Sequence, residues 1–218
     1  MESELSNKPT RRRSKKRKLS KRRRISPLVE KYWRQRYNLF SSYDDGIKMD
    51  EEGWFSVTPE EIAIRHAERS GGGCVIDCFS GVGGNTIQFA KMCHHVVAID
   101  LDPHKVELAL IMRRYMEWKI ILILLLEIFP TCFIFKGRRS ISCTTMGGPS
   151  YKTIPNFSLD LLKPKDGYSL FQAAQAITPN IIMFLPGMWT CIEENYVQNH
   201  LKGITAYFGG TAFGKLNL

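Results

Sequence analysis

The clearest alternation of apolar and polar positions lies between Cys74 and Asp100. Cys74-Val-Ile-Asp77 is a short apolar run ending on an acid, and it predicts a buried strand. Phe79-Ser-Gly-Val-Gly-Gly84 follows, and then Asn85-Thr-Ile-Gln-Phe-Ala90 predicts a helix. Gly81, Gly83 and Gly84 let the backbone turn sharply and approach a ligand where a Cβ would block it. Asn85 and Thr86 are suited to open the helix as N-terminal cap residues. A second apolar run, His95-Val-Val-Ala-Ile-Asp100, again ends on an acid, 23 positions after Asp77. Strand, glycine turn, helix and strand form the opening unit of a doubly wound α/β sheet. An acid at the tip of its second strand can accept hydrogen bonds from ribose hydroxyls.

Upstream, Val29–Phe40 carries Tyr32, Trp33, Tyr37 and Phe40 at a spacing that suits one helix face. By physics alone this is a packing stripe interleaved with bases that could also meet a nucleic acid. Thr58-Pro-Glu-Glu61 reads as a helix start, with Thr58 as cap, proline in the first turn and then acids. Downstream, Trp118–Phe135 is apolar almost throughout. It holds Lys119, Glu127 and Pro130 and only just reaches membrane-spanning length, so a span is not expected.

At 218 residues and 44% hydrophobic, the chain can bury one domain-sized core. The net charge of +10 changes that picture only at one end. Residues 1–24 carry 12 Lys/Arg against Glu2 and Glu4, which leaves 19 basic and 19 acidic residues for the remainder. The basic character therefore belongs to a tail, expected to be disordered when free. Such a run serves as a nuclear or nucleolar address or as an electrostatic grip on RNA phosphates. The six cysteines lack paired metal spacing and no secretory signal opens the chain, which fits reduced thiols without zinc.

The loop lacks the G-x-G-x-x-G order of dinucleotide folds. Asp77-x-Phe-x-Gly-x-Gly-Gly followed by Asp100-Leu-Asp-Pro instead resembles class I S-adenosylmethionine (SAM) methyltransferases. With "KYWRQRYNLFSSYDDGIKMDEEGWFSVTPE" before it and "NYVQNHLKGITAYFGG" near the C-terminus, the chain is similar to the trimethylguanosine synthase family. Members of that family use SAM to convert the m7G cap of small nuclear and nucleolar RNAs to 2,2,7-trimethylguanosine. The resemblance implies that Phe40, Ser56 and Thr58 border SAM, with Asp77 and the Gly81–Gly84 turn under its methionine part. It implies that Asp100 takes the ribose, and it counts Asn85, Thr86 and Leu101 among the cofactor-binding positions. Lys31 would reach the phosphates of the RNA cap. The plainer roles for these residues are Phe40 as core, Thr58 as helix cap and Asp77 as a strand-end hydrogen bonder. The family also implies nuclear residence, in nucleoli or Cajal bodies and also in cytoplasm, and snRNP or snoRNP proteins as partners.

The expected fold is a Rossmann-like SAM-dependent methyltransferase sheet with a helical N-terminal extension. The expected domains are a basic tail over 1–26, the extension over 27–70 and the methyltransferase domain over 71–218. Residues 116–146 form an atypical apolar insert within it, and the central strands there are expected to be disrupted. The run's abrupt edges against family-like flanks also fit an intron-derived segment. Where the family has Ser/Asn-Pro-Pro-Trp, whose tryptophan stacks on the methylated base, this chain has Cys143, Thr144, Thr145 and Met146. Base stacking on an aromatic contributes about 1–3 kcal/mol, so the substitution favours SAM binding without transfer. A nuclear RNA-binding or scaffold protein is a further alternative. After Pro186 the family's helix and part of a strand are missing.

Overall fold

A computed structural model describes residues 26–116, 120–124, 140–144, 160, 166–185 and 193–213. The basic tail, Thr145, Met146, the Gly147–Tyr151 stretch, Trp189 and Cys191 lie outside the described residues.

The strands are β1 (Cys74–Asp77), β2 (His95–Asp100), β3 (Ile120–Leu124), β4 (Ser140–Thr144), β5 (Ile181–Leu185), β6 (Glu193–Val197) and β7 (His200–Phe208). They form one sheet in the order β3-β2-β1-β4-β5-β7-β6. The first five are mutually parallel, and β7 runs antiparallel between β5 and β6. Both predicted strands, Cys74–Asp77 and His95–Asp100, lie side by side in register, with Asp77 opposite Ala98.

The two strands expected to be disrupted are present. Ile120–Leu124 of the apolar run pairs with β2, placing Leu124 beside Asp100. Ser140–Thr144 sits between β1 and β5, with Ser142 beside Asp77 and Cys143 beside Met183. A parallel sheet covered on both faces accepts near-continuous Ile/Leu/Val runs, so the unusual composition of this segment is compatible with strand pairing.

Alternation along β1 and β2 sends side chains to two separate cores. Val75 and Val96 pack on one face with Ala67 and Phe89, from helices α4 (Glu60–Arg69) and α5 (Gly84–Met92). Ile76, Val97 and Ile99 face the other way, joining Met183, Leu185, Ile204 and Ala174 of α7 (Gly167–Gln175). The predicted 29–40 helix is two helices, α1 (Pro27–Arg34) and α2 (Arg36–Leu39), broken at Gln35. With α3 (Glu51–Ser56), they bury Val29, Leu39, Phe40 and Trp54 against Val82, Ile87 and Leu108. Leu108 belongs to α6 (Pro103–Met116). Trp33, Tyr43 and Trp54 pack as a triad with ring centroids 5.4–5.5 Å apart. The aromatic stripe is therefore largely packing.

An ion cluster fastens this extension to the sheet layer. Lys105 on α6, with only 4% of its side chain exposed, donates to both carboxylate oxygens of Asp50 at 2.7 and 2.8 Å. Glu52 lies 3.3 Å from the same ammonium. Asp50 is also the N-cap of α3, accepting from the Gly53 N–H.

The link from β5 to β6 is seven residues, 186–192, too short for the usual helical crossover between parallel strands. Register explains why it suffices. Thr205 pairs with both Phe184 and Glu193, so β6 starts level with the carboxyl end of β5, two strands away. The link needs to span about 10 Å sideways, with no return to the amino end. The β6–β7 hairpin consequently extends past the carboxyl edge of β5, closing at Gln198 and Asn199, both with positive φ (51° and 61°). That pair of left-handed residues defines a type I′ turn.

Candidate functional site

The carboxyl ends of β1, β2 and β4 meet at one edge, and the residues singled out in the sequence collect there. Asp77, at the end of β1, is fully buried. Its Oδ2 accepts a 2.7 Å hydrogen bond from the Thr86 hydroxyl. Its Oδ1 has no hydrogen-bond partner among the described residues. Burial raises the Asp77 carboxyl to a pKa of about 7, and the nearby Asp100 charge adds to the rise. The Thr86 hydroxyl and the Phe79 and Thr86 amides hold it down only in part. A buried carboxylate oxygen without a donor is a site for a cationic or N–H-bearing ligand group.

The turn above it is open on its outer side. Gly81 and Gly83 have φ of 51° and 93°, backbone that L residues rarely adopt. A Cβ built on Gly81 meets nothing within 4 Å, whereas one on Gly84 would stand 2.6 Å from the Val57 side chain. The first glycine thus leaves room for a ligand and the last permits close packing of the chain before α4. Asp100 faces the same turn: its Oδ2 accepts from the Gly81 N–H at 2.7 Å and its Oδ1 from the Asp102 N–H at 3.0 Å. Each oxygen retains a lone pair for further donors. Burial, ahead of its neighbours, raises the Asp100 carboxyl above its usual range. Leu101 follows it, half-buried.

Three sequence expectations are revised by this geometry. The α5 N-cap is Gly83, and Asn85 and Thr86 sit inside the first turn. Their side chains serve the surroundings: Thr86 holds Asp77, and the Asn85 amide donates to the Thr58 hydroxyl at 3.0 Å. Thr58 is not a side-chain cap either, since α4 is capped at Pro59 with no side-chain bond. A left-handed glycine turn admits the chain to α5 directly, leaving both polar side chains available for tertiary bonds.

Phe40 is buried beside Val82 of the turn, while Ser56 closes α3 half-buried. Lys31 is exposed on α1. Cys143 and Thr144 end β4, and the pairing of Ser142 with Asp77 sets them just beyond Asp77 along the sheet edge. The segment that departs from the family pattern therefore enters the same edge as the glycine turn.

Residues that the motif reading passed over tie these pieces together. His66 on α4 is fully buried, its ring 3.0 Å from Asn85 Oδ1 and 2.9 Å from Thr205 Oγ1. Asn195, also fully buried, donates to Thr205 at 2.8 Å and accepts from Arg65 at 2.8 Å. A histidine set between Ile62, Ala63 and Ala67 on a buried helix face was the available signal, since such a ring must find polar partners. Among the described residues, Cys74, Cys78 and Cys93 form no disulfide and no cluster of His, Cys, Asp and Glu could hold a metal ion. Among them too, no helix is long and apolar enough to cross a membrane.

Parallel order β3-β2-β1-β4-β5 with a glycine turn after β1, an acid after β2 and an antiparallel strand inserted at the far edge defines a Rossmann-like methyltransferase sheet. A putative methyltransferase from Porphyromonas gingivalis has the same fold, with a TM-score of 0.55 and 12% identity over 72% of this chain and 39% of that one. A family model described as RNA cap guanine-N2 methyltransferase matches residues 72–194. A trimethylguanosine synthase of Schizosaccharomyces pombe is 39% identical over 173 residues, 74% of this chain and 72% of the relative. The trimethylguanosine synthase of Saccharomyces cerevisiae is 31% identical over 180 residues, covering 72% of this chain and 54% of that relative. The chain thus spans about half the length of the second. It belongs to the RNA cap guanine-N2 methyltransferase family.

Proposed function

We propose that the chain transfers methyl groups from SAM to the exocyclic N2 of the guanine in an m7G RNA cap. The observation that carries the reading is the buried, donor-less Oδ1 of Asp77 beneath a positive-φ glycine turn. SAM fits that arrangement: its methionine ammonium can complete Asp77, its carboxylate can meet the turn and first-turn amides, and its ribose can donate to Asp100. When bound, SAM supplies an electrophilic methyl on sulfonium. The chain's task is then to orient an amine against that methyl and exclude water, which is positioning work. The carboxyl end of β4 supports a place for the acceptor base beside Asp77, and exposed Lys31 is suited to the phosphates of the RNA cap.

The natural acceptors on this reading are small nuclear and nucleolar RNAs, met as snRNP or snoRNP particles in the nucleus. The basic run at 11–24 supports that address and adds affinity for phosphates.

The test is calorimetric titration of the full chain with SAM, then transfer of labelled methyl to m7G-capped RNA, with G-capped RNA as control. Binding and transfer to the m7G cap alone is the expected result. Binding without transfer would assign the loss to Cys143–Met146 and favour a donor-binding variant. Absence of SAM binding would overturn the reading.

A further inference from the structure

The polar side chains behind the glycine turn form one hydrogen-bonded line with a fixed direction. Asn85 Nδ2 lies 3.0 Å from Thr58 Oγ1 and can only donate to it, so Asn85 presents its Oδ1 to His66. An amide oxygen only accepts, and His66 Nδ1 must carry the proton. The imidazole is neutral, because burial, opposed only in part by Asn85, lowers its pKa to about 4. Its Nε2 is therefore an acceptor and takes a 2.9 Å hydrogen bond from the Thr205 hydroxyl. Thr205 in turn accepts from Asn195 Nδ2, and Asn195 Oδ1 accepts from Arg65, each at 2.8 Å.

Every group in the line is thus a donor to the next, from the Arg65 cation through Asn195, Thr205, His66 and Asn85 to Thr58. At the end, the Thr58 oxygen is occupied as an acceptor, and among the described residues its hydrogen is donated to no acceptor. Thr58 is 3% exposed, and its carbonyl would stand 3.3 Å from a Cβ on Gly84 of the turn.

We infer that His66 is a positioning residue for the methyl donor, holding Asn85 so that the Thr58 hydroxyl is committed as a hydrogen-bond donor toward the bound cofactor. This rests on the SAM site proposed above. The line leaves α4 at Arg65, passes through Asn195 on β6 and Thr205 on β7 at the far edge of the sheet, and returns to α4 at His66, so α4 carries the register of those strands to the donor site. Hydrogen-bonded chains of this polarity strengthen one another in a low-dielectric interior.

The experiment measures SAM affinity and KM in His66→Phe, His66→Asn and Thr205→Val, each also in a Thr58→Val background, with melting temperature alongside. Long-range proton–nitrogen NMR of the full chain reads the His66 tautomer. The expected tautomer carries its proton on Nδ1. Thr205→Val, which leaves Nε2 without its donor, and His66→Phe should raise the KM for SAM roughly two- to tenfold, the worth of one hydrogen bond. Asn keeps an N–H near the Nδ1 position, and His66→Asn should fall between wild type and Phe. In the Thr58→Val background these penalties should vanish while the changes in melting temperature persist. If Thr205→Val keeps wild-type KM, or its penalty survives in Thr58→Val, His66 is structural only and the inference fails. A His66 protonated on Nε2 in the wild-type chain would overturn it as well, and that reading stands even if His66→Phe does not fold. A wild-type chain that binds no SAM would instead defeat the SAM site itself, whatever the tautomer.

Discussion

Asp77 is held in a state that costs the free protein stability. Its folded pKa, about 7, exceeds the ordinary 3.8, so between those values the folded chain binds a proton the unfolded chain has released. Stability contributed by this residue is therefore greatest at low pH, declines as pH rises from about 4 to 7, and levels off above. A shift of that size corresponds to on the order of 4 kcal/mol. Asp77→Asn removes the buried charge, and its melting temperature should exceed that of the wild type at pH 8 and converge with it near pH 4. The same variant should lose SAM affinity by tenfold or more in calorimetry, since an amide presents no anion to an ammonium. Wild-type affinity should itself improve as pH rises through about 7, with proton release on binding. A variant that is both less stable at pH 8 and unimpaired in binding would contradict this account of Asp77.

Single residues were also where the sequence misled. Thr58, Asn85 and Thr86 have the chemistry of helix caps, and position along the chain cannot reveal that α5 is entered from Gly83 and α4 from Pro59, both without a side-chain cap. Asp77, Asp100 and the three glycines were legible because strand ends and turns impose local requirements. His66, Thr205 and Asn195 were not, because their bond partners lie up to 139 positions away.

Among the elements, β5 and β7 meet at a place with no slack. A Cβ on Gly203 would stand 2.7 Å from the Leu185 carbonyl oxygen and 2.8 Å from the Phe184 ring. Gly203→Ala should therefore cost about 1–3 kcal/mol in denaturant unfolding, as overpacking does. The N-terminal extension is held differently, by Lys105 against Asp50 and Glu52 as well as by the Trp54 core. Lys105→Met should leave Asp50 half-buried without its cation and lower stability by about 1–3 kcal/mol. Restoring charge balance with Asp50→Asn in the same chain should recover part of that loss in a double-mutant cycle. The strands β1 and β2 were readable as apolar runs closed by acids. Strand β3 was harder, because a run of Ile and Leu looks alike as a buried parallel strand, a helix or an insert, and only its pairing with β2 decides.

At the scale of the whole molecule, charge and fold are separated along the sequence. The 12 Lys/Arg of residues 1–24 stand before a remainder with equal numbers of acids and bases. Affinity for capped RNA should therefore depend steeply on salt in the full chain. Removal of residues 1–24 should flatten the plot of log K against log salt by about 0.7 for each phosphate that the tail neutralises. SAM affinity should stay unchanged by that truncation, and a matched loss of both would tie the tail to the donor site.

The seven-residue passage from β5 to β6 has a consequence for how much this architecture can vary. Because both ends lie at the carboxyl edge about 10 Å apart, a longer chain could loop outward there without shifting any strand. Closing a loop of twice the length costs only about 0.6 kcal/mol more. Evolution can lengthen the 186–192 passage by a helix, or remove one, at little thermodynamic penalty, and an added segment would stand at the carboxyl edge of the sheet. Relatives that share this sheet are thus free to differ in length at this edge while the strand order stays the same.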